Sequence, residues 1–166
     1  MLRTHDIYIK QLNERERKIS HFSPSGLLPA GQTLAINLET RTISLLSEGP
    51  SLLVEQQLSA NELHLLVPML DFYPHYCPYE VFLSYLSTKV VTEASIERCR
   101  QRLQEAQACG TWQQELRPIR RAFSSLRNKL YRLGLGISNV RERGCSLISL
   151  TARPPEYSRF DLGSYK

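Results

Sequence analysis

The chain has 166 residues, with 21 Lys and Arg against 16 Asp and Glu, and a formal charge of +5 with its four His neutral. At 42% hydrophobic and 22% charged it can bury a core, which excludes wholesale disorder and sets an expectation of one domain with short extensions. No apolar run approaches the about 18 residues of a membrane span, and Met1 to Asp6 lacks the apolar stretch of a signal peptide, so a cytoplasmic protein with no membrane partner is expected.

Residues 1–32 read as an N-terminal extension. Ile7, Tyr8 and Ile9 alternate weakly, Asn13 to Lys18 is a charge run suited to a solvated face or turn, and Pro24, Gly26, Pro29 and Gly31 mark a loop. The folded domain is expected over 33–150. Leu34, Ile36 and Leu38 alternate with Ala35 and Asn37, a polar turn follows at Glu39 and Thr40, and Ile43 and Leu45 mark a second strand. Ser47 to Pro50 supplies another turn and Leu52 to Val54 a third strand, so an antiparallel meander is predicted.

Ser59-Ala60-Asn61-Glu62 is a capping box, in which the Ser hydroxyl and the Glu carboxylate each satisfy an amide of the other, and it predicts a helix start. Leu63, Leu66, Val67 and Leu70 then form one apolar stripe, with Pro68 inside it expected to end or kink the helix. Pro74 and Pro78 bracket a tight connection, and Pro78 suits the first turn of a second helix burying Phe82, Tyr85 and Leu86. Thr92 to Ala108 makes a further helix, with Ile96, Cys99, Leu103 and Ala106 on one side and an end near Gly110.

The most regular helix follows Pro118, where Ile119, Phe123, Leu126, Leu130 and Leu133 recur at steps of four, three, four and three. Arg117, Arg121, Ser124, Ser125 and Asn128 then project to the opposite side, with Arg120, Arg127 and Lys129 on the flanks and no acid on the helix. Such a face suits a DNA major groove, where Arg pairs with guanine edges or phosphates and Asn with adenine. An ordinary solvated basic face is the plainer alternative. Gly134 and Gly136 are expected to stop this helix, and the next segment reads as a hairpin with Arg141 and Arg143 at its tip and Gly144 available for a positive φ.

Charge concentrates in this region. From Leu116 to Arg153 nine basic residues face the single acid Glu142, a net +8, whereas the rest of the chain carries −3. That layout is expected of a polyanion-binding face, and a basic hairpin tip suits a narrow A·T-rich minor groove.

With these residues in place the chain resembles the C-terminal DNA-binding domains of OmpR/PhoB-type response regulators. Leu58 to Leu66 resembles the L-T-x-x-E-F-x-L-L helix start, Leu126-Arg127-Asn128-Lys129-Leu130 the L-R-x-K-L segment, and Ile137 to Cys145 the I-x-T-V-R-G-x-G-Y wing. The resemblance implies an α+β fold: a winged helix-turn-helix with an N-terminal antiparallel sheet of four strands, three core helices, an inserted helix and a C-terminal hairpin wing. It implies phosphate contact by Arg117, groove-facing positions for Arg121, Ala122, Ser124 and Ser125, and a minor-groove role for Arg141. Asn139 stands where the motif has Thr, and Glu142-Arg143-Gly144-Cys145 replaces Gly-x-Gly-Tyr. No receiver domain is expected, and phosphorelay control within the chain is not expected either.

The stretch 88–115 is an insertion relative to that family and is the expected place for contact with RNA polymerase or for dimerisation, a solvent-exposed decoration being the plainer reading. A homodimer on DNA and a nucleoid-associated location follow from the same resemblance. Residues 151–166, with Pro154, Pro155 and Gly163, read as a flexible tail.

No catalytic constellation stands out, and neither enzyme activity nor a cofactor is expected. Cys77, Cys99, Cys109 and Cys145 form no CxxC pair and read as reduced thiols, and His75 with Cys77, Cys99 and Cys109 fits no common zinc spacing. His64 reads as a surface or boundary residue and Trp112 as a packing anchor. The expected function is therefore a sequence-specific, double-stranded DNA-binding transcriptional regulator. Its site residues are Arg117, Arg120, Arg121, Ser124, Ser125, Arg127, Asn128, Asn139, Arg141 and Arg143. The alternative is a winged-helix adaptor that contacts RNA polymerase or another protein.

Overall fold

Alternating apolar residues build the first sheet. The computed structural model describes residues 19–24, 26–48, 51–71 and 75–151, so the strand expected at Ile7 to Ile9, the charge run at Asn13 to Lys18 and nearly all of the tail lie outside the described residues. Strands β1 (Ile19–Phe22), β2 (Thr33–Asn37), β3 (Thr42–Ser47) and β4 (Ser51–Gln57) pair antiparallel in that order. Leu34, Ile36, Ile43 and Leu45 point into the core, as the alternation requires. The turn from β2 to β3 is closed by Asn37, whose Oδ1 accepts from the amides of Glu39 at 3.0 Å and Thr40 at 3.1 Å.

In this sheet two features depart from expectation. β1 lies inside the stretch 1–32 read as extension and takes its place through pairing with β2, Ile19 opposite Asn37 and Phe22 opposite Leu34. β4 forms where expected, but Leu52 and Leu53 remain exposed, because β4 is an edge strand and its register slips between Leu45 and Leu46 of β3.

The capping box at Ser59 forms: the Ser59 amide donates to Glu62 Oε2 at 2.6 Å, and the Glu62 amide donates to Ser59 Oγ at 3.2 Å. It starts α1 (Ala60–Asp71), which runs on through Pro68. The expected break does not occur because Val67, Met69 and Leu70 on either side of Pro68 are buried in the core, and that burial outweighs one lost backbone hydrogen bond. The connection expected between Pro74 and Pro78 contains a short strand, β5 (Tyr76–Pro78), and Pro78 is the cap of α2 (Tyr79–Ser87) rather than part of its first turn.

Helix α3 (Glu93–Ala108) begins with a reciprocal cap between Thr92 and Ser95 and buries Ile96, Cys99, Leu103 and Ala106, the side expected. It packs on α2 through a buried Ser84 to Ser95 hydroxyl contact of 2.6 Å and through Arg100, which pairs with Glu80 and Glu97. The insertion is thus half core and half polar surface. A single-turn helix, α4 (Trp112–Glu115), adds to the expected helices, with Trp112 packing edge-on against Tyr79 at 6.1 Å.

Helix α5 (Arg117–Arg132) buries Ile119, Phe123, Leu126 and Leu130, and Leu133 caps the stripe. Phe123 meets Phe82 of α2 edge-on, with ring centres 5.2 Å apart. Gly134, at φ +75°, ends the helix; Gly136 does not, since it already lies in β6 (Leu135–Val140).

β6 pairs with β7 (Gly144–Ser149), and β7 pairs in turn with β5, giving a second sheet of order β5-β7-β6. The hairpin turn places its positive φ at Glu142, +54°, not at Gly144. Gly144 answers a different need: a Cβ there would lie 2.2 Å from the Cys77 carbonyl oxygen, so only glycine lets β7 approach β5. The fold is α+β, and one hydrophobic cluster joins both sheets with α1, α2, α3 and α5.

Candidate functional site

The side of α5 opposite its buried stripe is open to solvent. Arg117, Arg120, Arg121, Ser124, Ser125, Arg127 and Asn128 are all exposed, and so are Asn139, Arg141 and Arg143 on the hairpin that follows. Ala122 is half-buried on the flank. Among the described residues, no carboxylate forms an ion pair with Arg117, Arg120, Arg121, Arg132, Arg141 or Arg143. The macrodipole offers no counter-charge at the start of the helix, where Arg117, Arg120 and Arg121 oppose its positive end. This charge is held there by the packing of the stripe, not by local preference.

Two of the basic residues are committed within the protein. Lys129 Nζ lies 2.7 Å from Glu62 Oε2, and Glu62 is 2% exposed. Burial pushes the Glu62 carboxyl up, but hydrogen bonds from Lys129, Ser125 and the Ser59 amide together hold it below its usual value. Ser125 therefore serves α1 as well as the open face. Arg127 donates from Nη2 to Asn139 Oδ1 at 3.0 Å and stands over Phe123, 6.0 Å from the ring centre. The helix and the hairpin are tied by these two expected site residues.

A groove of about 520 Å³ runs between the start of α1 and the outer side of α5, lined by Ser59, Asn61, Gln114, Arg117, Arg121 and Ser125 among others. Its lining is rich in hydrogen-bond donors, and both arginines can reach an anion within it. At the other end of α5, Tyr131 is 73% exposed, three residues on from Asn128 and so on the same side of the helix. Sequence reasoning missed it, although the spacing that identifies the arginine face assigns it directly.

The cysteines add no charge to this face, although the Cys145 thiol donates to Asn139 Oδ1 at 3.4 Å. All four are free thiols, and Cys77, Cys99 and Cys145 are buried, each pushed up chiefly by that burial. His75 is buried too, its Nδ1 3.1 Å from the Met69 carbonyl oxygen, and no metal-holding cluster forms among the described residues. His64 is exposed. The surface offers positive charge and directed donors, which bind anions and acceptor groups.

Comparison with known protein families, with curated proteins and with solved structures finds no match to this chain. The class is therefore defined by geometry alone: an α+β protein in which an acid-free basic helix is tied to a basic hairpin. Among the described residues no helix is long and apolar enough to cross a membrane.

Proposed function

We propose that this protein is a winged helix-turn-helix regulator of transcription that binds double-stranded DNA sequence-specifically. In this reading α5 is the recognition helix and enters the major groove, while β6 and β7 form the wing, whose tip enters the minor groove. The observation that carries it is the uninterrupted exposed row Arg117, Arg121, Ser124 and Asn128 on a helix whose other side is buried, with Arg141 and Arg143 at the tip of the next hairpin. Arg and Asn are the side chains that pair bidentately with guanine and adenine edges, and Ser adds short-range contacts. The order sheet, α1, β5, α2, α5 and hairpin, with α3 and α4 inserted between α2 and α5, supports the resemblance to OmpR/PhoB-type effector domains.

The test is a titration of the full chain against duplexes recovered from a random pool. With four or five phosphates neutralised, log K falls against log salt with a slope of about −4, and Arg121→Ala and Arg141→Ala each weaken binding. A flat salt dependence overturns DNA binding; unchanged affinity in both variants overturns these residues as contacts.

An adaptor role is a second reading, favoured by one observation: Val140, Ile148 and Leu150 are exposed on the hairpin and its end, an apolar surface suited to protein contact. RNA polymerase contact through 88–115 and a homodimer on DNA belong to the same proposal. For the former, the outer side of α3 offers Glu97, Arg98, Gln101 and Glu105, a polar surface suited to a charged partner.

A further inference from the structure

The side-chain amide of Asn139 is held in one orientation. Its Oδ1 accepts from Arg127 Nη2 at 3.0 Å and from the Cys145 thiol at 3.4 Å. A guanidinium can only donate, so the oxygen of the amide, never its nitrogen, faces Arg127. Arg127 is itself braced over Phe123, which is buried, and Cys145 is buried in β7 opposite Asn139. Among the described residues nothing accepts from Asn139 Nδ2. Exposed Asn139, two residues before Arg141, thus offers two N–H donors and no free carbonyl.

That asymmetry selects among DNA edges. In the minor groove A·T pairs present only acceptors, whereas G·C pairs add the N2 amino donor of guanine. A donor-only amide finds a partner on the first and meets a like group on the second. Resting on the DNA-binding reading above, we infer that Asn139 is a specificity-determining residue that makes the wing favour minor-groove edges lacking the guanine N2 amino group, and that Arg127 is the positioning residue that fixes its amide. Arg127 then acts through Asn139, and its exposed place on α5 is that of a strut between helix and wing.

The experiment compares binding of the full chain to alternating dI-dC and alternating dG-dC duplexes. Inosine keeps the major-groove pattern of guanine and lacks only the N2 amino group, so the ratio of the two affinities reads the minor groove and cancels any change in total charge, and Asn139→Ala separates the base edge from groove width. The unaltered protein binds dI-dC about tenfold more tightly, the size of one discriminated base-edge contact. Asn139→Ala and Arg127→Ala each reduce that ratio several-fold, the first without altering the salt slope. A ratio of one in the unaltered protein, or a ratio that Asn139→Ala leaves unchanged, overturns the inference. If Asn139 instead donates to a phosphate oxygen, Asn139→Ala weakens both duplexes equally, which also overturns it. Absence of binding to either duplex at low salt overturns the DNA-binding reading itself, an outcome distinct from binding without discrimination.

Discussion

Lys129 of α5 and Glu62 of α1 form an ion pair of 2.7 Å across 67 residues of sequence, with the carboxylate buried and the ammonium half-buried. Glu62 also closes the cap of α1 through the Ser59 amide. One carboxylate therefore sets both where α1 begins and how α5 sits against it.

Removing Lys129 leaves that carboxylate buried without its cation. Lys129→Met should cost about 3 kcal/mol, the lower part of the range for breaking a buried pair, because the Lys side chain keeps some contact with water. The pH dependence weakens. In the unaltered protein the Glu62 carboxyl is held low, so its contribution is present above the unfolded carboxylate pKa and is lost as pH falls through the lower folded value. Without Lys129, burial is opposed only by the Ser125 and Ser59 hydrogen bonds, so the carboxyl rises from that low value and less stability is lost on acidification. Urea denaturation of both proteins across the acid range measures the two slopes.

Phe123 joins the stripe of α5 to Phe82 of α2, and Arg127 rests on its outer side. Phe123→Ala should destabilise by about 3 to 5 kcal/mol in chemical denaturation. A variant of unaltered stability would contradict the packing of α5 on α2.

The hairpin offers a paired test at Glu142 and Gly144. Gly144→Ala drives a methyl into the Cys77 carbonyl and should separate β7 from β5, lowering the melting temperature. Glu142→Gly relieves a residue at φ +54° and should be neutral or stabilising by up to about 1 kcal/mol. If glycine were needed at 144 for turn conformation alone, the first substitution would be mild.

Thiol reactivity should divide the cysteines. Cys109 is exposed and should be alkylated rapidly by iodoacetamide in the native protein, whereas Cys77, Cys99 and Cys145, buried and pushed towards the protonated thiol, should react only on unfolding. Mass spectrometry of timed samples reads the difference site by site.

The parts of the fold legible in the sequence are those written by local periodicity. The strands β2 and β3, the cap at Ser59, α3 with its buried side and the stripe of α5 each depend on residues within a few positions of one another. The open row Arg117, Arg121, Ser124 and Asn128 follows from the stripe by geometry, so most of the candidate site was legible too. β1 and β5 were not, because strands of four and three residues carry too little pattern and form only against partners elsewhere: β5 meets residues of β7 such as Ser146, opposite Tyr76. Pro68 misled for the same reason, since its local preference is overruled by the core around it.

By itself the sequence determined the longer elements, the charge of the C-terminal third and the side of α5 left for solvent, because helical and strand periods are properties of the chain. Only the tertiary structure decided which of those charges are free. It committed Lys129 to Glu62 and Arg127 to Asn139, and it assigned Gly144 to a backbone contact with β5. Pairings between residues far apart in the chain depend on how the elements pack, and no local pattern of apolar and polar residues encodes them.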